Sequence, residues 1–186
     1  MRERIMDATL IEFSDKGIKF TMDDVAKRIR ISKKTIYNFF KNKEVLLLET
    51  IDFGFAEVQK QKKEIVNDKD MDIIDKIKNV LIAIPEKYKG FDWRLIYQIS
   101  EKYPDAYEKI EEKIESDWDI IIELIEEGIK QKKIRNINIA IFKLMFEAVI
   151  EKCIGDSKLI QSGVSYEQAL LEMRDIMVKG ILEIEE

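Results

Sequence analysis

Turn punctuation is scarce in this chain, with two Pro and seven Gly among 186 residues. A sandwich or barrel needs a turn roughly every ten residues, so the chain is restricted to long helices. Hydrophobic residues make up 46% of it and charged residues 37%, which supplies a core and argues against disorder. The length suits one small domain followed by a medium one.

Apolar spacings of three and four mark the helices. Ile5, Ala8, Thr9 and Phe13 define a first one, closed by Gly17, the residue type expected just past a helix C-terminus. A long helix is predicted from Asn42 to about Val66, with Val45, Leu46, Leu48, Ile51, Phe55 and Val58 inward. A shorter one covers Met71 to Ile84 before Pro85, and another follows Gly90 and ends at Tyr103-Pro104. Residues 105–131 read as one long amphipathic helix carrying Ile110, Ile114, Trp118, Ile121, Ile122, Ile125 and Ile129. Two more span 137–154 and 165–184, the second with Leu170, Met173, Ile176, Met177, Gly180 and Ile181 at helical spacing. Taken alone, such stripes read as ordinary core.

The residue inventory removes most catalytic chemistry. With no His there is no imidazole acid, base or metal ligand, and the lone Cys153 excludes an internal disulfide and a thiolate zinc site. No glycine-rich phosphate loop or nucleophile elbow occurs. The expectation is a non-enzyme without cofactor or metal. No apolar run approaches the roughly 20 residues of a membrane span and the first residues enter charged helical sequence directly, so a cytoplasmic protein without a membrane partner is expected.

The formal charge of -5 averages two unlike regions. Residues 1–50 hold eleven Lys or Arg against eight Asp or Glu, whereas 51–186 hold 21 against 29. Within 27–43 every charge is positive: Lys27, Arg28, Arg30, Lys33, Lys34, Lys41 and Lys43, interleaved with Tyr37, Phe39 and Phe40. Such a run is either the footprint of phosphate binding or a solvated helix face.

Capping residues discriminate between them. Thr21 followed by Asp24 forms a capping-box pattern, which starts a second helix running to about Arg28 with Val25 and Ala26 inward. Ser32 caps a third, short helix that places Ile36 inward. Two short capped helices joined by a tight turn make a helix-turn-helix, whose second helix enters the major groove by its first turn.

The stretch from Phe20 to Ala26, followed by Ile31-Ser32-Lys33-Lys34-Thr35-Ile36-Tyr37-Asn38-Phe39-Phe40-Lys41-Asn42-Lys43-Glu44-Val45-Leu46, resembles the DNA-binding domain of TetR-family transcriptional regulators. The resemblance covers about residues 3–50. It implies an all-α homodimer, with a helix-turn-helix domain at 1–46 that binds palindromic double-stranded operator DNA. A long helix joins it to a ligand-binding and dimerisation domain at 47–186. By position, it carries DNA contacts onto Thr21, Ser32, Lys33, Lys34, Thr35, Tyr37, Asn38 and Lys43. Three residues depart from the family pattern. Arg30 stands where glycine is usual in the turn and is expected in a left-handed conformation or a reshaped turn; Phe39 replaces a frequent His and is expected in the core; Lys34 replaces a small residue.

The resemblance also implies that the last two helices pair with their symmetry mates, through Leu170, Met173, Ile176, Met177, Gly180 and Ile181. Phe53, Trp93, Tyr97, Trp118, Phe142, Met145 and Phe146 are the candidates to line the pocket of a small, mainly apolar inducer, or else serve as core. The function expected is a ligand-responsive transcriptional regulator acting as a repressor, with a helical protein-interaction or adaptor module lacking sequence-specific DNA binding as the alternative.

Overall fold

The computed structural model describes residues 1–86, 95, 97–116, 118–155 and 163–183. Two compact units divide the chain: Met1–Glu57 with Phe91–Lys113, and Val58–Gly90 with Ile114–Glu186.

The first unit opens with α1 (Arg2–Lys16), a 3-10 turn over Gly17–Lys19, α2 (Met22–Arg28) and α3 (Lys33–Tyr37). The leading part of α4 (Lys43–Asn67), then α6 (Tyr97–Lys102) and most of α7 (Pro104–Ser116) complete it. Its core joins Ile5, Phe13, Phe20, Val25, Ile36, Phe40 and Leu46 to Ile99, Ala106 and Ile110. The rings of Phe13 and Phe20 meet edge to face, with centroids 6.3 Å apart. Asn42 starts α4 by accepting the Val45 N–H on Oδ1 at 2.8 Å, a side-chain cap for a backbone donor that the helix itself leaves unpaired.

The second unit contains the remainder of α4 with α5 (Ile73–Leu81), α8 (Asp119–Lys130), α9 (Ile139–Gly155) and α10 (Tyr166–Lys179). Asp72 caps α5, its carboxylate accepting the Ile74 N–H at 2.7 Å, so the helix predicted from Met71 begins two residues later. Ile73, Ile77, Val80 and Leu81 pack with Ile121, Leu124 and Ile125 of α8 and with Leu170 and Met173 of α10. Trp118 meets Phe146 edge to face at 5.4 Å.

Two predicted helices differ in extent. The stretch 105–131 forms α7 and α8 rather than one helix; Ala106 and Ile110 serve the first core, while the apolar side chains from Trp118 onward serve the second. The last helix ends at Lys179, because the residues after it pair with the chain leaving α8. Arg135 N–H donates to Ile181 O and Glu183 N–H to Lys133 O, each at 3.0 Å, flanking an isolated antiparallel bridge between Ile134 and Leu182. Gly128 lets this segment close on α8, since a Cβ there would stand 2.6 Å from Ile134 Cδ1. No described helix is long and apolar enough to cross a membrane.

Ile77 is fully buried on α5. Ile77→Ala is expected to destabilise the protein by about 3 kcal/mol, whereas Lys78→Ala, which removes only an exposed pair with Asp75, should change stability by less than about 0.5 kcal/mol. Thermal melts of the two variants check this, and equal midpoints would contradict the assigned core face.

Candidate nucleic-acid interface

Local hydrogen bonds place both helices of the motif. Thr21 Oγ1 accepts the Asp24 N–H at 3.2 Å and the Asp24 carboxylate accepts the Thr21 N–H at 2.8 Å, the reciprocal box expected from the sequence. At α3, Ser32 Oγ accepts the Thr35 N–H at 3.0 Å. The turn between them contains Arg30 at φ 57°, so of the two outcomes expected there it takes the left-handed conformation.

Burial then sorts the side chains. Ile36 and Phe40 lie wholly in the core. Ser32, Lys33, Lys34, Tyr37 and Asn38 are exposed together, Thr35 is half-buried, and Thr21 is exposed at the start of α2. Phe39, expected in the core, is 37% exposed: Phe40 takes the inward place, beneath the Arg2 guanidinium 4.7 Å from its ring centroid. Phe39 therefore adds an apolar surface beside Tyr37 of the kind that meets sugars or thymine methyls.

Charge is distributed less evenly than the basic run suggests. Arg28 turns to α1, where its Nε donates to Glu12 at 2.6 Å and Nη2 pairs with Asp15. Lys43 donates to the Ile18 and Phe20 carbonyls and lies 4.1 Å above the Phe20 ring; burial, then the nearby Lys102 charge, lowers its pKa. Its expected phosphate contact would require leaving these carbonyls. Lys33 reaches Asp23 across 3.4 Å at the exposed surface. The described ion pairs leave Lys34 unengaged.

Sequence spacing did not single out two supporting residues. Arg2 bonds Glu49 through Nε at 2.9 Å and donates from Nη1 to the Phe39 carbonyl at 3.3 Å, so α1 holds the link between α3 and α4. Lys16 bridges Glu12 at 2.9 Å and Asp24 at 2.7 Å, tying α1 to the capping box.

A short helix fixed by a buried underside, with a polar and cationic exposed row at its first turn, is suited to a DNA major groove. Residues 5–50 match the profile of bacterial regulatory proteins of the tetR family. The HTH-type transcriptional regulator YhgD of Bacillus subtilis is 32% identical over 138 residues, 72% of each chain. A second regulator of that organism, YvaF, is 26% identical over the whole chain and 98% of its own length. The chain belongs to the TetR family.

Among solved structures, FadR of Bacillus subtilis in complex with stearoyl-CoA is similar in fold, with a TM-score of 0.68 at 17% identity over 97% of this chain and 100% of that one. The present chain is thus a helix-turn-helix, DNA-binding regulator of transcription.

The expected pocket and dimer residues fall in different surroundings. Trp118, Phe142 and Phe146 are buried in the second core, and Phe53 packs half-buried on the first. Met145 is 54% exposed. Trp93 and the side chain of Tyr97 lie outside the described residues. Of the proposed dimer residues, Leu170, Met173 and Ile181 are buried in their own unit and Met177 packs on that core, while Ile176 and Gly180 are exposed. The apolar side chains left exposed nearby in sequence are Ile141, Leu144, Met145 and Val149 on α9, with Leu171 on α10.

Hydrogen bonds from Lys16, then from the Thr21 hydroxyl and N–H, hold the Asp24 carboxyl well below the usual carboxylate range. Burial alone would raise that of Glu12, yet hydrogen bonds from Lys16 and Arg28 lower it. A depressed folded-state pKa gives stability that is present above the unfolded value of about 4 and lost as pH falls toward the folded one. Asp24→Asn should therefore melt below the unsubstituted protein at neutral pH, with the gap closing in acid below about pH 4; parallel melting curves against pH would contradict the role given to Asp24.

Proposed function

We propose that this regulator is a ligand-responsive repressor that holds a palindromic operator as a homodimer and leaves it when a small, mainly apolar molecule binds. The observation that carries the reading is the exposed row of Ser32, Lys33, Lys34, Tyr37 and Asn38 over the buried Ile36 and Phe40. These side chains, with Thr21 and Thr35, are the proposed DNA contacts; Lys43 joins them on release from its carbonyls.

An isologous dimer is supported by the apolar side chains that α9 and α10 leave in water. Ile141, Leu144 and Met145 are 56%, 66% and 54% exposed at helical spacing, and Ile176 is 71% exposed. Covering them with a second copy removes that surface, and a dimer supplies two recognition helices for half-sites about 34 Å apart. Met145 is therefore assigned to the dimer face. For the inducer, the ring-rich surroundings of Trp118, Phe142 and Phe146 favour an apolar molecule, in keeping with the stearoyl-CoA held by FadR. Binding acts by favouring dimers whose recognition helices have the wrong separation for the operator. The protein acts in the cytoplasm, with no membrane partner.

Fluorescence anisotropy on DNA from upstream of the protein's own gene, against random duplex and across a salt series, tests the reading. A preference of at least about 10³ is expected, and Lys33→Ala with Lys34→Ala should reduce the slope of log affinity against log salt by about 3 to 4 for the two protomers together. Random DNA competing equally would instead indicate an adaptor. Leu144→Glu should yield monomers in sedimentation and lose operator binding while keeping its helical signal; a dimer that persists would refute the interface.

A further inference from the structure

Arg30 occupies a backbone conformation that ordinarily belongs to glycine. It follows the last residues of α2, donating its N–H to Lys27 O at 3.2 Å while Ile31 N–H reaches Ala26 O at 3.0 Å. These two bonds form a Schellman termination, and the residue at φ 57° has its Cβ strained against the neighbouring carbonyl, a strain glycine avoids. The family's usual glycine would satisfy the turn without a side chain. Among the described residues no carboxylate pairs with the Arg30 guanidinium, which lies exposed.

Lys132 provides the comparison. It ends α8 in the same way at φ 56°, with its N–H on Ile129 O at 3.0 Å, and, like Arg30, sets a cation beside the negative end of a helix. What distinguishes Arg30 is its place. Only Ile31 separates it from Ser32, the cap of the recognition helix, a span of at most about 7 Å.

We infer that Arg30 clamps a DNA phosphate beside the recognition helix, a contact that the family's usual glycine at this position has no side chain to make. The inference rests on the DNA-binding reading above. Arg30 stands in the turn, outside the helix that enters the groove, so its contact is to the backbone and carries no base information. The planar guanidinium can present two N–H donors to two phosphate oxygens, a match that an ammonium does not reproduce.

The test uses the full-length protein with Arg30→Gly, Arg30→Lys and, as a control, Lys132→Gly. Each is titrated onto the upstream DNA and a random duplex across a salt series, and the melting temperature of each is measured. Arg30→Gly should melt no lower than the unsubstituted protein, bind both duplexes about fivefold more weakly, and have a salt slope smaller by about 1.8 for a dimer. Arg30→Lys should keep the slope and lose part of the affinity, and Lys132→Gly should leave binding unchanged. Affinity and slope of Arg30→Gly equal to those of the unsubstituted protein would overturn the inference, as would a loss confined to the upstream DNA, which would mark a base contact. An unsubstituted protein that binds neither duplex overturns the proposed function, and this inference with it.

Discussion

A helix of five residues does not hold itself in water, because fixing its first turn costs more conformational freedom than the few hydrogen bonds formed return. α3 is such a helix, and it exists because Ile36 and, just beyond it, Phe40 are buried against Val25, Ala26 and Leu46. Everything exposed on α3 is placed by what is hidden beneath it. The Ser32 cap aligns the first turn, and Arg2 fixes the Phe39 carbonyl where the chain turns toward α4.

Electrostatics refine this platform. Seven cations occur between residues 27 and 43, and each carries the same formal charge. Arg28 is drawn to Glu12 and Asp15 of α1, and Lys43 to two backbone carbonyls. Their charges are engaged in holding the unit together, which leaves the outward field to Lys27, Arg30, Lys34 and Lys41, joined by Lys33 with its exposed partner Asp23. The partners are 16 and 13 residues away for Arg28 and 25 and 23 for Lys43, distances at which sequence spacing says nothing about who meets whom.

The helices of the second unit show the same division. Periodicity identifies an apolar face on α10, but Leu170 and Met173 are inside the core while Ile176 is left in water. An apolar stripe records that a face is covered, without recording whether the cover is the same chain or another copy. α9 is apolar around most of its circumference, so its pattern assigns still less: Phe142 and Phe146 point inward and Leu144 and Met145 outward.

What was legible in the sequence is what hydrogen bonds between near neighbours decide. The Thr21 and Asp24 box, the Ser32 cap and the extent of α2 all involve groups within four residues of one another. Residue type and spacing therefore determine them. Only the tertiary structure decided that Phe39 is exposed and Phe40 buried, that α7 and α8 are separate helices, and that the chain after Lys179 pairs with Ile134 instead of extending α10. In each case two local conformations are both acceptable. Distant contacts select between them, through the space left beside Gly128 or the core to which a helix face belongs.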